Sequence, residues 1–333
     1  MVAQAESMIQ VKIPIPIPLK TVNTYLCQTH DGWVIIDTGL DTPSARETWM
    51  NAFRENNIDF TNEVRQIVIT HYHPDHIGLA GWLHQITGAE VMISSEGKRA
   101  SEKVWLNHRQ NAETISSFFI THGMPLHDGN EIKTHMEDFM KYLSPLPDMS
   151  EIEEGYLLEL KGGTYRAIHT RGHCDGHFVF YDENFGFLIG GDQILDKISP
   201  NISLWPTFDP NPLQSFIDSL QALKPLPIHR IFPGHGPIIT QAQMRIEQLL
   251  QHHHERLEEI VSYLKQDGRQ TAYQICRKLF HSRQLDLHQL RFAMAETLAH
   301  LVFLEFEGKV KRDAHENASR MNDRESIVHW CLS

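Results

Sequence analysis

The chain of 333 residues is 41% hydrophobic and 22% charged, enough apolar material for a sizeable core, so global disorder is excluded. Its net charge of -12 argues against a nucleic-acid backbone as main partner, because phosphate binding needs clustered Lys and Arg. Four scattered cysteines without a C-x-x-C, no basic-then-apolar leader and no apolar run near membrane length point to a cytoplasmic protein with neither a disulfide framework nor a membrane span.

"IPIPIPLK" (13–20) places Pro at every second position, which reads as an extended edge segment, since Pro cannot donate to a sheet ladder. Two apolar runs flank a His30-Asp31-Gly32 turn and predict a hairpin. "TPSARETWMNAFRENN" predicts a capped helix, "VRQIVIT" a strand, "DHIGLAGWLHQIT" one helix with Asp75 near its start, and "AEVMIS" another strand. Residues 97–150 carry Trp105, Phe118, Phe119, Met124, Met136, Phe139 and Met140 at helical spacings. They read as a helical insertion, able to cap a site or merely to pack.

Strands then alternate with turns through "YLLELKGGTYRAIHT" and "HFVFYDENFGFLIGGD". A helix, "PLQSFIDSLQAL", and a strand ending in a Gly-rich turn, "IHRIFPGHGPII", follow. From residue 240 the composition shifts to 13 basic against 13 acidic residues, after 17 against 29 before it, which marks a domain boundary. The last third reads as helices, the final one running into a hairpin at Glu307-Gly308. Residues 314–333 read as a tail in which "IVHWCL" could dock. The triplet His252 to His254 reads as solvated surface, and His169 and His300 as packing residues. His177 reads as structural and Cys174 as a small loop residue.

The densest chemistry is "THYHPDHIG". His71 and His73, two apart in extended chain, face the same way and can grip one ion. The turn into a helix redirects Asp75 and His76 toward a second. His173 in "GHCDGH", Asp192 in "FLIGGD" and His235 in "IFPGHG" each follow an apolar strand, the usual place for a site in α/β folds. Imidazole and carboxylate donors suit zinc, with iron or manganese also open.

These motifs, in this order, resemble the metallo-β-lactamase superfamily over about residues 8–240. The resemblance implies an αββα sandwich of two facing sheets with helices outside. It implies His71, His73 and His173 on a first metal, Asp75, His76 and His235 on a second, and Asp192 bridging. It also places Asp37 beneath the site as a support for the ligand loop. Residues 241–313 resemble the small, mostly α winged-helix-like domain that follows some members; its balanced charge suits packing or homodimer formation better than nucleic acid. The function implied is that of a two-zinc hydrolase. A metal-bridging hydroxide would act on a small ester, thioester or lactone, with Asp75 as catalytic proton acceptor. A metal-dependent nuclease and a single-iron sulfur dioxygenase-like enzyme are the alternatives.

Overall fold

Val- and Ile-rich runs build the two larger sheets of the computed structural model, which describes residues 7–282, 284–314 and 327–333. The first sheet holds β1 (Met8–Pro14), β2 (Thr21–Gln28), β3 (Trp33–Ile36), β4 (Val64–Val68), β5 (Glu90–Ser94) and β6 (Met149–Ile152), in that order. The hairpin predicted around Gly32 joins β2 to β3; from β3 to β6 the neighbours run parallel. β1 lies at the edge, but of the proline-rich segment only Ile13 and Pro14 belong to it; the expected extension of the rest is corrected to a turn closed by the Ile15 N–H on Lys20 O (2.9 Å). The second sheet is ordered β11-β10-β9-β8-β7, from β7 (Leu157–Leu160), β8 (Gly163–His169), β9 (Phe178–Asp182), β10 (Phe187–Gly191) and β11 (Arg230–Pro233).

Between the sheets, Tyr25, Ile36 and Val68 meet Tyr165, Phe180 and Ile189 in one apolar layer. Outside the first sheet lie α1 (Pro43–Glu55), α2 (Phe60–Glu63), α3 (Pro74–Ile77) and α4 (Ala80–Thr87). Thr42 caps α1 by accepting the Ala45 N–H at 3.1 Å. Trp49, Phe53 and Leu83 bury against the sheet, each worth roughly 1.5–3 kcal/mol. The single helix predicted from Asp75 is two: Gly78 and Leu79 break it. The Leu79 N–H donates to Gly39 O (2.9 Å), and a side chain on Gly78 would strike the Gly39 and Tyr142 carbonyls.

Helices fill the stretch between β5 and β6: α5 (Ser95–Ser101), a π-helical turn (Glu102–Leu106), α6 (His108–Thr121) and α7 (Leu126–Asp138). The second sheet is covered by α8 (Pro212–Leu223), through Phe216 and Leu220. The layers therefore run helix, sheet, sheet, helix, as the resemblance implies.

The remaining helices are α9 (Ala242–Asp267), α10 (Ala272–Leu279) and α11 (Leu287–Phe306). Their apolar faces join Phe216 and Val179 in one continuous core. Among the described residues no helix is long and apolar enough to cross a membrane.

Two expectations for this region are corrected. Glu307-Gly308 is a turn from helix to strand, not a hairpin: β13 (Val310–Ala314) pairs with β14 (Val328–Leu332), and β14 also pairs with β12 (Gln270–Thr271). The expected tail thus contains a central strand, while 315–326 lie outside the described residues. The cause is Trp330, which is fully buried and stacks on His122 with ring centroids 6.1 Å apart.

The second correction is His253, expected at the surface and fully buried instead. His300 Nδ1 donates to Glu296 O (2.8 Å), and its Nε2 lies 3.1 Å from His253 Nδ1. Burial favours the neutral form of both rings, in which His253 donates to His300. Burial pushes His253 well below the usual histidine range and His300 down to about 4. A base depressed by folding contributes stability that is complete above its unfolded pKa near 6.5 and lost as pH falls toward the folded one. Melting temperature should therefore drop between pH 6.5 and 4. The double variant His253→Leu/His300→Leu should flatten that slope by up to about 1.4 kcal/mol per pH unit for each ring. An unchanged slope in calorimetric melts would refute the neutral pair.

Candidate metal centre

Strand ends carry all the candidate ligands to one place. His71 and His73 follow β4, and Asp75 and His76 occupy the first turns of α3, the short helix that β4 feeds. His173 lies in the β8–β9 loop, Asp192 directly after β10, and His235 directly after β11. Three sets of these ligands have donor atoms all within 4.8 Å of one another: His71, His73 and His173; His71, His76 and Asp192; Asp75, His76 and His235. His71, His76, His173, Asp192 and His235 are buried, while His73 and Asp75 are partly exposed.

Hydrogen bonds at the far side of each ring fix which nitrogen faces the centre. His173 Nδ1 donates to Asn201 O (2.9 Å) and His235 Nδ1 to Thr21 O (2.8 Å). His76 Nδ1 lies 2.8 Å from Asp37 Oδ2. All three present Nε2 inward. These Nε2 atoms stand 3.5 Å (His76), 3.5 Å (His235) and 3.8 Å (His173) from one oxygen, Asp192 Oδ2. His235 Nε2 is also 3.1 Å from Asp75 Oδ2. Lone pairs converging on lone pairs demand positive charge between them.

Among the described residues His76 Nε2, His173 Nε2 and Asp192 Oδ1 are buried with no hydrogen-bond partner, which costs free energy unless something fills the gap. The donor set is nitrogen and oxygen only. Divalent cations fit both facts.

Protonation equilibria express the same field. Burial drives His71 well below the usual range and His73 down to about 3. Burial would lower His76 too, yet Asp192, Asp37 and Asp75 hold it well above. Burial opposes ionising Asp75 and Asp192, but His76 and His235 hold both carboxyls below the ordinary range.

Asp37 takes the position expected of it. Its carboxylate accepts from Thr70 N and Thr70 Oγ1, both at 2.8 Å, as well as facing His76, and its φ is +59°, a conformation few residues other than Gly adopt cheaply. His177, read from sequence as structural, does more: its Nε2 accepts the Asp192 N–H (3.1 Å) while its Nδ1 meets Thr170 Oγ1 (2.8 Å). Thr70, Thr170, Asn23 and Tyr25 were not recognised at all. Asn23 Nδ2 donates to Pro233 O and Gly236 O, and Tyr25 to Pro233 O, so β2 pins the His235 loop. No sequence motif signals these: Asn23 and Tyr25 act on backbone more than 200 positions away, and Thr70 and Thr170 are single hydroxyls beside histidines. Cys174 is buried, and burial raises its thiol well above its usual range, which suits an inert loop residue.

Gly234 touches the centre directly. A Cβ there would collide with Asp192 Oδ1 and meet His76 Cε1 at 2.7 Å. Gly234→Ala should lower metal retention at least roughly 10-fold, the scale on which ligand-orienting contacts act, with little change in melting temperature of the metal-free chain. Competition with a chromogenic chelator measures it; unchanged retention would show the loop yields freely.

Beside the centre opens a cavity of about 490 Å³, lined by His73, Asp75, His173, Asp192 and His235 on one side and by Trp105, Phe139, Trp205, Phe208 and Phe292 on the other. Trp105, on the π-helical turn, donates to Tyr72 O (2.9 Å), which ties the insertion to the ligand loop. Of the insertion's apolar residues, Trp105, Met136 and Phe139 line the cavity, whereas Phe119 and Met124 are core. Capping and packing are both served.

The sequence matches the family profile "Metallo-beta-lactamase superfamily" over residues 17–235 and "Metallo-beta-lactamase-like, C-terminal domain" over 257–321. It is 34% identical to a metallo-beta-lactamase family protein from Thermus thermophilus of known crystal structure, with a TM-score of 0.85 and coverage of 98% of this chain and 99% of that one. It is 27% identical to the probable metallo-hydrolase YqjP of Bacillus subtilis, over 91% of this chain and 93% of that protein. A more distant relative, 23% identical over 74% of this chain and 59% of its own length, is an atrochrysone carboxyl ACP thioesterase from a Cryptosporiopsis species. The ligand-bearing segment falls inside the first match; the chain belongs to the metallo-beta-lactamase superfamily and is a metal-dependent hydrolase.

Proposed function

We propose that the chain hydrolyses a small ester or thioester at a two-metal centre, zinc being the best fit to its donors. The observation that carries this reading is Asp192 Oδ2 standing within 3.8 Å of three inward imidazole nitrogens, at the foot of an aromatic-walled cavity. His71, His73 and His173 would hold one ion, and Asp75, His76 and His235 the other, with Asp192 shared between them. Bound ions of this kind polarise a substrate oxygen and acidify water toward neutrality.

The chain's own residues do the rest. Asp75, whose carboxylate lines the cavity, orients the attacking water and takes its proton. Trp105, Phe139 and Phe208 hold the acyl portion and exclude bulk water, which strengthens every charge interaction within. Similarity to the Cryptosporiopsis thioesterase favours a thioester. The formal charge of -12 weighs against a phosphodiester backbone. Residues 8–240 would form the catalytic unit, and 241–313 a module that packs on it and completes the cavity wall.

Metal analysis of untagged protein, followed by turnover of matched thioesters, esters, lactones and phosphodiesters, tests the proposal. Two zinc per chain with thioester or ester cleavage supports it. One iron per chain, or phosphodiester cleavage alone, overturns it.

A further inference from the structure

The cavity wall opposite the metal ligands contains a charge that no described residue balances. Arg291, on α11, lines the same cavity as Asp75 and Asp192. Its Nε is buried with no hydrogen-bond partner, and among the described residues no carboxylate stands within ion-pair distance of the guanidinium. The nearest compensation is the Phe292 ring, whose centroid lies 4.5 Å from the guanidinium carbon. Burial pulls the Arg291 pKa down to about 10.

The neighbouring imidazoles add no negative charge. His288, three residues earlier on α11, also lines the cavity, and its Nδ1 is buried without a partner; so is Nδ1 of His135 on α7 behind it, the two rings 5.6 Å apart. Burial first, and Arg291 with it, keeps both imidazoles neutral, His288 down to about 3. Glu296 lines the cavity too, but it accepts from Asn201 Nδ2 at 3.4 Å. Arg291 is half-buried, and an uncompensated guanidinium with part of its hydration removed costs the fold free energy. A ligand that brings its own negative charge offsets that cost, and a planar five-donor fork suits a carboxylate or phosphate.

We propose that Arg291 is the anchor for an oxyanion, carboxylate or phosphate, carried by the substrate away from the bond that is cleaved, so that the enzyme selects anionic esters or thioesters. The proposal rests on the hydrolase reading above for the word substrate, but the anion site does not depend on it. It also assigns the C-terminal helix α11 a part in substrate choice.

The test uses the metal-loaded full chain as wild type, Arg291→Gln and Arg291→Lys. Calorimetric titration with glutarate, butyl phosphate and neutral glutaramide reads the site directly. At least one anion should bind wild type ten-fold or more tightly than Arg291→Gln, with Arg291→Lys between them and glutaramide indifferent to the change. Which anion loses affinity separates the carboxylate from the phosphate. Arg291→Gln should melt at or above the wild-type temperature, since it removes an unpaired charge.

In parallel, KM for an S-butyryl thioester of 3-mercaptopropionate should rise ten-fold in Arg291→Gln, while that of the neutral N-acetylcysteamine thioester stays put. Equal affinities for both anions across the three proteins, or no measurable anion binding by the wild type, overturn the anchor even if thioesters are cleaved. Anion binding that Arg291→Gln abolishes, without cleavage of any ester or thioester, leaves the anchor standing and removes the ester and thioester proposal.

Discussion

Asp192→Ala should release most of the bound metal and lower turnover by roughly 100-fold or more, since even groups one layer out from a metal typically cost 10–100-fold. The reason is geometric. Asp192 Oδ2 is the one acceptor shared by His76, His173 and His235, and its backbone is held by His177. Removing the carboxylate leaves the three imidazoles without the anion they share, Asp75 reaching only His235 and His76. The fold should survive, because Asp192 makes no contribution to the layer between the sheets. Elemental analysis after dialysis, alongside circular dichroism, decides it. A folded variant that keeps the wild-type metal complement would mean that Asp192 is not shared.

Trp330→Ala should lower stability by about 3–5 kcal/mol, the usual cost of deleting a large buried aromatic, and the melting temperature by roughly 10 °C for a chain of this size. Trp330 is opposed by Gln270 on one neighbouring strand and Arg312 on the other. With Val310 it anchors β12, β14 and β13 against the helices, packed with the core that also contains Leu264 and Cys276. Metal content should not change. A thermal melt within a degree of wild type would restore the reading of this segment as a loosely held tail.

The contrast between these two residues shows what could be read in advance. Asp192 was legible because a metal ligand after a strand is a local pattern, and the pattern recurs along the chain with the spacing of the strands. The sandwich was legible for the same reason, through runs of Val and Ile between turns. Trp330 was not, because its partners β12 and β13 are separated from it in sequence and a short alternation such as "VHWCL" has no local context to place it. His253 is a different failure. It falls in register with Ile246, Leu249, Leu257, Ile260 and Leu264, the buried stripe of α9, so the signal existed and the charged neighbours obscured it. Arg291 could not have been singled out at all, since nothing in a sequence shows a missing counter-ion.

Asn23 and Tyr25, from the first sheet, hold the backbone that carries His235, from the second. His71, His73, Asp75 and His76 hang from one sheet, and His173, Asp192 and His235 from the other. The two halves of the ligand set are therefore aligned only as well as the sheets themselves are stacked, in the manner of two printing plates that must overlie to give one image. Apolar residues between the plates, such as Phe180 and Ile36, then carry a demand that stability alone does not place on them. A sub-ångström slip that the fold could absorb would blur the site, so alignment, not cohesion, sets how freely that layer can vary.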